Sequence, residues 1–266
     1  MVAEHLIDIG AGRVRYLEAG AGWPLVLLHA FPLSADMWRP QLEGPPRGWR
    51  LLAPDLRGFG PHAGGAAASL DDMAEDLRAW LDALRIERAI VGGLSMGGYV
   101  AFALYRLAPD RFSGMVLANT RATGDTDEAR AGRDRMIALM REQGVPAVAE
   151  AMLPRLLGTT AVRERPGLPE VVRRLIEGNR APGIAGALEA MKARPDSTPL
   201  LDRVSVPVLV VAGAEDALVS REESEDIARH LQRCQFVVIP RAGHLSSLEN
   251  PEDFSEVLGT FLQANL

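Results

Sequence analysis

Six short apolar runs, separated by stretches with helical periodicity, constrain the fold of this 266-residue chain more than any other feature. Apolar runs of this length are typical of strands that are buried on both faces of a parallel sheet. Strands that alternate with helices predict an α/β fold with a doubly wound sheet. Residues 5–9 and 13–19 predict instead an antiparallel hairpin at the sheet edge. The six runs cover residues 25–28, 51–53, 89–92, 115–118, 208–212 and 236–239.

Start signals mark several of the helices between these runs. Ser69 is followed by Asp72, and Ser220 by Glu223, at the three-residue spacing that is typical of a capping box. Pro251 predicts the start of the last helix, since proline is favoured at the first helical position.

Residues 121–198 break the alternation, because they predict about four helices and no strand. Gly144 predicts one helix end and Pro146 the next helix start. We therefore expect a core domain from residues 1–120 and 199–266, with residues 121–198 as an inserted segment. A long insertion in a compact domain favours a functional helical cap, or lid. A plain packing layer is the alternative.

Composition excludes several classes of protein. The chain is 47% hydrophobic and 24% charged, as globular proteins are. A net charge of −6 without a basic run argues against nucleic acid as a partner. The sequence has neither an apolar run of transmembrane length nor a secretory signal, so we expect a cytoplasmic protein away from the membrane. Its single cysteine, Cys234, forms no intramolecular disulfide and is expected to be buried in a strand. The oligomeric state stays open.

A candidate nucleophile lies in the sequence Gly93-Leu94-Ser95-Met96-Gly97, between a predicted strand and a predicted helix. This context is that of a nucleophile elbow, in which a strained turn lifts a serine hydroxyl clear of the sheet. Side chains at the two glycine positions would collide across such a turn. The alternative, an idle serine in a glycine-rich turn, requires the context to be a coincidence.

The candidate general base is His244, one of five histidines. It lies in a loop after the apolar run 236–239 and before the last helix, which is the carboxyl-end side of the sheet where Ser95 must be. A serine hydroxyl is a weak nucleophile and needs such a base. The alternative is a loop histidine without a role.

An orienting carboxylate is expected after the apolar run 208–212, where Glu215 and Asp216 are adjacent. Either would complete the chain order nucleophile, acid, base that this type of elbow requires. The carboxylate holds the imidazole in the correct tautomer and stabilises its protonated form.

Two backbone amides are candidates for an oxyanion hole. One belongs to Met96, the residue after the nucleophile. The other is expected from the loop after the apolar run 25–28, where Pro32 has no N–H, so we assign Phe31.

Together these motifs resemble the α/β-hydrolase superfamily over residues 24–120 and 204–261. The departures from the family pattern are Ala30 in place of glycine and Phe59 in place of histidine. The matching segments are His29-Ala30-Phe31-Pro32, Asp55-Leu56-Arg57-Gly58-Phe59-Gly60, Gly213-Ala214-Glu215-Asp216 and Gly243-His244.

The resemblance implies a mostly parallel eight-stranded sheet flanked by helices, with an inserted helical cap. It favours Asp216 over Glu215 as the acid, and it implies a catalytic site that needs no metal and no organic cofactor. Within the superfamily the chain is similar to small carboxylesterases, 3-oxoadipate enol-lactonases and non-haem haloperoxidase or perhydrolase-like enzymes. Ser95 differs from the aspartate nucleophile of haloalkane dehalogenases, and Leu245 from the tryptophan of carbon–carbon bond hydrolases.

Five apolar residues are candidates for the substrate pocket, although ordinary helix packing explains the four methionines equally well. They are Met136, Met140, Met152, Met191 and Leu245. The predicted function is hydrolysis of a small-molecule ester or lactone through an acyl-enzyme. The alternatives are peracid formation by the same residues, and a small-molecule receptor with slow turnover.

Overall fold

The structure, a computed structural model, describes residues 1–62 and 64–265 and places eight strands in one sheet. The strand order is β1-β2-β4-β3-β5-β6-β7-β8. The strands are β1 (Ala3–Asp8), β2 (Arg13–Gly20), β3 (Trp23–Leu28), β4 (Trp49–Pro54), β5 (Ala89–Leu94), β6 (Phe112–Ala118), β7 (Val208–Gly213) and β8 (Cys234–Ile239).

The sheet confirms the predicted α/β architecture. All six apolar runs lie within strands β3 to β8, and these six strands run parallel to one another, while β4 pairs antiparallel with β2 on its other side. The predicted hairpin is β1 and β2, which pair antiparallel and form one edge of the sheet. Because β3 to β8 run in the same direction, the residues that follow them gather at one edge of the sheet.

Eleven α-helices lie in the described part of the chain. Two further short 3-10 helices span Ala35–Trp38 and Pro109–Arg111. The α-helices are α1 (Arg39–Glu43), α2 (Leu70–Ala83), α3 (Met96–Leu107), α4 (Asp127–Leu156), α5 (Thr159–Glu164), α6 (Leu168–Glu177), α7 (Ala181–Lys192), α8 (Thr198–Leu201), α9 (Arg221–His230), α10 (Ser246–Glu249) and α11 (Pro251–Ala264).

The predicted capping boxes are both present. The Ser69 hydroxyl accepts a hydrogen bond from the Asp72 amide at 3.1 Å, and the Asp72 carboxylate accepts one from the Ser69 amide at 3.0 Å. Ser220 and Glu223 form the same pair of bonds at the start of α9. These reciprocal bonds satisfy amide groups that have no partner within the helix, and so they fix where α2 and α9 begin.

The inserted segment between β6 and β7 is helical, as predicted. Its long helix α4 is interrupted at Gly144, whose φ of 79° is not helical, and the second half resumes with Pro146. We refer to the two parts as the first and second halves of α4. Helices α6 and α7 both pack against α4. The segment therefore forms its own helical layer next to the carboxyl ends of the strands.

Candidate active site

Ser95 occupies the single residue between β5 and α3. Its φ is 55° and its ψ is −112°, a conformation that is uncommon for any residue other than glycine. Such strain persists only where the surrounding structure enforces it, and it clusters at functional sites. The turn has the strained backbone that the sequence predicts for a nucleophile elbow.

The glycines around Ser95 are required by close backbone contacts. A Cβ atom on Gly93 would lie 2.1 Å from the carbonyl carbon of Gly97, across the turn. A Cβ atom on Gly97 would lie 2.2 Å from the carbonyl oxygen of Leu28, on the neighbouring strand β3. The motif therefore has the steric origin inferred from the sequence.

His244 and Asp216 are in direct contact at the carboxyl-end edge of the sheet. The Nδ1 atom of His244 lies 2.9 Å from Oδ2 of Asp216, and both side chains are 2% exposed. Asp216 also accepts hydrogen bonds from the amides of Leu218 and Val219 at 2.8 Å and 3.0 Å.

The environment of Asp216 keeps its carboxylate charged. Burial is the strongest single influence and acts to raise its pKa, but the attraction of His244 and the hydrogen bonds together outweigh it. The pKa of Asp216 is therefore held below its ordinary value. An ionised carboxylate at this place is what an orienting acid requires.

Glu215, the neighbouring carboxylate, faces another part of the structure. It accepts hydrogen bonds from the Thr160 amide at 2.9 Å and the Thr159 hydroxyl at 3.1 Å, both in the inserted segment. The chain order alone allows either carboxylate to be the orienting acid. The geometry distinguishes them, since it is Asp216 that contacts His244.

Asn119, which sequence reasoning missed, supports the same pair. It follows β6 directly and has a φ of 47°. Its side-chain amide donates to Asp216 at 2.9 Å and to the Gly243 carbonyl at 3.2 Å, and its oxygen accepts from the Ser246 hydroxyl at 2.5 Å. An asparagine after a strand carries no signal of this role in the sequence.

Glu249 is a second residue that sequence reasoning missed. Its carboxylate is buried and accepts three backbone hydrogen bonds: from Gly243 at 2.9 Å, from Leu245 at 2.9 Å and from Gly158 at 2.7 Å. Burial raises the pKa of Glu249 and outweighs these bonds. The sequence shows only that Glu249 lies five residues after His244.

The fully buried ring of His29 fixes the loop that carries Phe31. Its Nε2 atom accepts a hydrogen bond from the Leu56 amide at 3.0 Å, so the proton is on Nδ1, which donates to the Ala30 carbonyl at 3.0 Å. Burial lowers the pKa of His29, in keeping with a neutral ring. The Ala30 carbonyl and the Phe31 amide share one planar peptide group, so His29 also sets the direction of the Phe31 N–H.

The two predicted oxyanion donors are unengaged. Phe31 lines the same cavity as Ser95 and His244, and Met96 is the first residue of α3. Neither amide donates a hydrogen bond to another residue within 1–62 or 64–265. The first amides of a helix have no intrahelical acceptor, and the helix dipole places positive potential there.

A cavity of about 470 Å³ opens above Ser95 and His244. Of the predicted pocket residues, Met136, Met152 and Met191 line it. Met140 and Leu245 do not, and we remove both from the proposed pocket. Met140 lies one helical turn beyond Met136 and is packed into the core, while Leu245 is fully buried against the protein.

Two features are absent from residues 1–62 and 64–265. No helix in these residues is both long and apolar enough to cross a membrane. Within the same residues, no group of three or more histidine, cysteine, aspartate or glutamate side chains is arranged to hold a metal ion.

Comparison with known proteins identifies the family. A sequence model described as the alpha/beta hydrolase fold matches residues 24–251. The chain belongs to the α/β-hydrolase family. The predicted fold class and resemblance are both confirmed, and the eight-stranded sheet of this hydrolase is the one that the family implies.

Three relatives show which branch the hydrolase is similar to. It is 29% identical over 235 residues to 3-oxoadipate enol-lactonase 2 of Acinetobacter baylyi, covering 88% of this chain and 86% of that protein. Among solved structures, a thermophilic esterase from Thermogutta terrifontis with malate bound is 38% identical with a TM-score of 0.94, covering 99% of both chains. The enol-lactonase from Burkholderia xenovorans is 26% identical with a TM-score of 0.89, covering 97% of this chain and 100% of that one.

Proposed function

We propose that this hydrolase cleaves small carboxylic esters or lactones through an acyl-enzyme on Ser95. The observation that carries the proposal is the 2.9 Å contact between His244 and Asp216, in a cavity that Ser95 also lines. Esterase and enol-lactonase relatives support the same reaction class.

The proposed first step is attack by Ser95. With Nδ1 of His244 donating to Asp216, Nε2 is the nitrogen that accepts the Ser95 proton. The hydroxyl oxygen then bonds to the ester carbonyl carbon, and the carbonyl oxygen becomes an oxyanion. The amides of Phe31 and Met96 donate hydrogen bonds to it, and such donors are worth about 10²–10³ in rate.

The proposed second half returns the enzyme to its starting state. Protonated His244 gives its proton to the leaving alcohol oxygen as the tetrahedral intermediate collapses to an acyl-Ser95. His244 next takes a proton from water, which attacks the acyl carbon, and returns that proton to the Ser95 oxygen as the acyl–oxygen bond breaks and the carboxylic acid leaves. All proton transfers in this scheme use His244 alone, because Asp216 stabilises its charged form without taking a proton.

We further propose that the inserted segment, residues 121–198, acts as the cap of the site, over a core of residues 1–120 and 199–266. Three predicted pocket methionines on α4 and α7 line the cavity with Ser95, which supports this division. A cap that supplies the walls while the sheet supplies the chemistry separates the choice of substrate from the reaction.

A panel of activated esters tests the reaction class. We expect 4-nitrophenyl acetate and butyrate, together with an enol-lactone, to be hydrolysed by the native enzyme and not by Ser95→Ala. If these substrates are not hydrolysed in water but a peracid forms when hydrogen peroxide is added, that result would favour the perhydrolase reaction. Turnover no faster than in the Ser95→Ala variant would contradict enzymatic hydrolysis and favour a receptor.

A further inference from the structure

Arginine side chains dominate the charged lining of the cavity above Ser95. Four arginines line it against two carboxylates, although the whole chain carries a net charge of −6. A cleft lined by an excess of one charge concentrates ligands of the opposite charge. The charged lining residues are Arg121, Arg133, Arg135, Arg155, Asp125 and Glu128.

Two of these arginines form ion pairs or hydrogen bonds with other residues of the protein. Arg133 pairs with the buried carboxylate of Asp125. Arg121 donates to the Leu218 carbonyl and lies 3.2 Å from the Glu223 carboxylate. Both side chains are therefore held by other groups of the protein and shape the cavity wall, with the Asp125 carboxylate shared between Arg133 and Arg194.

Arg135 and Arg155 differ from these two arginines. Neither forms an ion pair or a hydrogen bond with any residue that the structure describes, and both are exposed while lining the cavity. They come from different halves of α4, one before the break at Gly144 and one after it. Among the lining residues that the structure describes, Glu128 is the one other charged side chain without an ion pair, so two such guanidinium groups are present against one such carboxylate.

Another part of the cavity lining is apolar. It contains the side chains of Phe31, Leu188 and Val219 and the three methionines already placed there. A ligand that fits the whole cavity thus has a reacting group at Ser95, an apolar body and an anionic end.

We propose that Arg135 and Arg155 form a subsite for a carboxylate carried by the substrate, so that the preferred substrates are esters or lactones with a free acid group. The planar guanidinium binds carboxylates through paired N–H donors, which suits this class of ligand better than a neutral chain end. This inference rests on the proposed function, since it concerns the substrate of the same site.

Two matched pairs of esters test the subsite. The first pair, 4-nitrophenyl hydrogen adipate and 4-nitrophenyl hexanoate, carries or lacks a carboxylate on the acyl side. The second pair, 4-acetoxybenzoate and its methyl ester, carries or lacks it on the leaving group. We expect a higher kcat/KM for the anionic member of at least one pair, which also tells on which side of the ester the carboxylate lies.

Substitutions assign the preference to the two arginines. In each of Arg135→Gln and Arg155→Gln we expect the anionic-to-neutral ratio of kcat/KM to fall about fivefold, since exposed ion pairs contribute at most modestly. The double variant should lose the preference. Arg141→Gln is the matched control, because Arg141 is exposed on the same helix but lies outside the cavity lining. Added salt should weaken the preference of the native enzyme.

The outcomes separate this inference from the proposed function. Hydrolysis of the neutral esters without a preference for the anionic ones, or a preference that survives in the double variant, overturns the subsite and leaves ester hydrolysis standing. If the native enzyme hydrolyses no ester, the proposed function fails. Calorimetry on Ser95→Ala still tests the subsite then, since the anionic member of at least one pair should bind at least fivefold more tightly than its neutral partner, and equal affinity within both pairs overturns it.

Discussion

Glu249 holds the loop of His244 from both sides, because its carboxylate accepts hydrogen bonds from the amides of Gly243 and Leu245, the residues that flank the histidine. A third bond from Gly158 ties the same carboxylate to the inserted segment. We regard Glu249 as a positioning residue, since it acts on the reaction only through His244.

Glu249→Gln tests this positioning role. The amide that replaces the carboxylate keeps its size, but one of its ends is a donor that faces backbone N–H groups. The loss of at least one buried hydrogen bond, worth about 1 kcal/mol, should lower kcat roughly fivefold with a smaller change in KM. Steady-state kinetics and a melting temperature check this, with exposed Glu252→Gln as control. A kcat equal to that of the control would show that the loop is held by other contacts.

The adjacent carboxylates Glu215 and Asp216 provide a second test, in which each variant is the control for the other. Asp216→Asn should lower kcat by about four orders of magnitude, because the neutral amide stabilises the wrong imidazole tautomer. Glu215→Gln should keep most of the activity, since Glu215 bonds to Thr159 and Thr160 rather than to His244. The measurement is kcat on 4-nitrophenyl acetate, and a reversed order of the two variants would contradict the assignment.

The methionines of the cavity should set the acyl-chain preference. Replacement of Met136, Met152 or Met191 by alanine enlarges the apolar wall, and a methylene gained or lost there is worth about 1–3 kcal/mol. We expect the octanoate-to-acetate ratio of kcat/KM to shift roughly tenfold in these variants. Met140→Ala is the matched control, because Met140 is packed into the core. Unchanged ratios in the Met136, Met152 and Met191 variants would indicate that the inserted segment is only a packing layer.

Cys234 should be a poor target for alkylation. Burial raises the pKa of its thiol to about 11, so little thiolate is present near neutral pH. Free cysteine, with a pKa of about 8.5, should react with iodoacetamide at pH 8 on the order of 100-fold faster. The rate should rise steeply as the pH approaches 10. Cys234 is half-buried, and labelling at pH 8 as fast as that of free cysteine would contradict the raised pKa of its thiol.

The sequence predicted the sheet well because its signals are local. An apolar run such as 89–92 or a capping pair such as Ser69 and Asp72 is complete within a few residues. The candidate nucleophile was also predictable, since the steric demand on Gly93 and Gly97 is expressed next to Ser95.

What sequence reasoning missed depends on contacts between distant segments. Asn119 meets Asp216 only because β6 and β7 are neighbours in the sheet. Which of the methionines line the cavity was equally hard to predict from the sequence. Met136 and Met140 are one helical turn apart, and the packing of α4 against α6 and α7 decides which of them lines the cavity.

The most direct test of the central claim is to trap the acyl-enzyme. The native protein is mixed with 4-nitrophenyl acetate, quenched in acid during turnover and digested, and the peptides are analysed by mass spectrometry. In the native enzyme we predict an acetyl group on the peptide that contains Ser95, and in Ser95→Ala we predict none on that peptide. In Asp216→Asn we predict more of the acetylated peptide with substrate than in the same variant without substrate. Acetylation confined to any other residue, or hydrolysis that continues in Ser95→Ala, would contradict the assignment of Ser95 as the nucleophile.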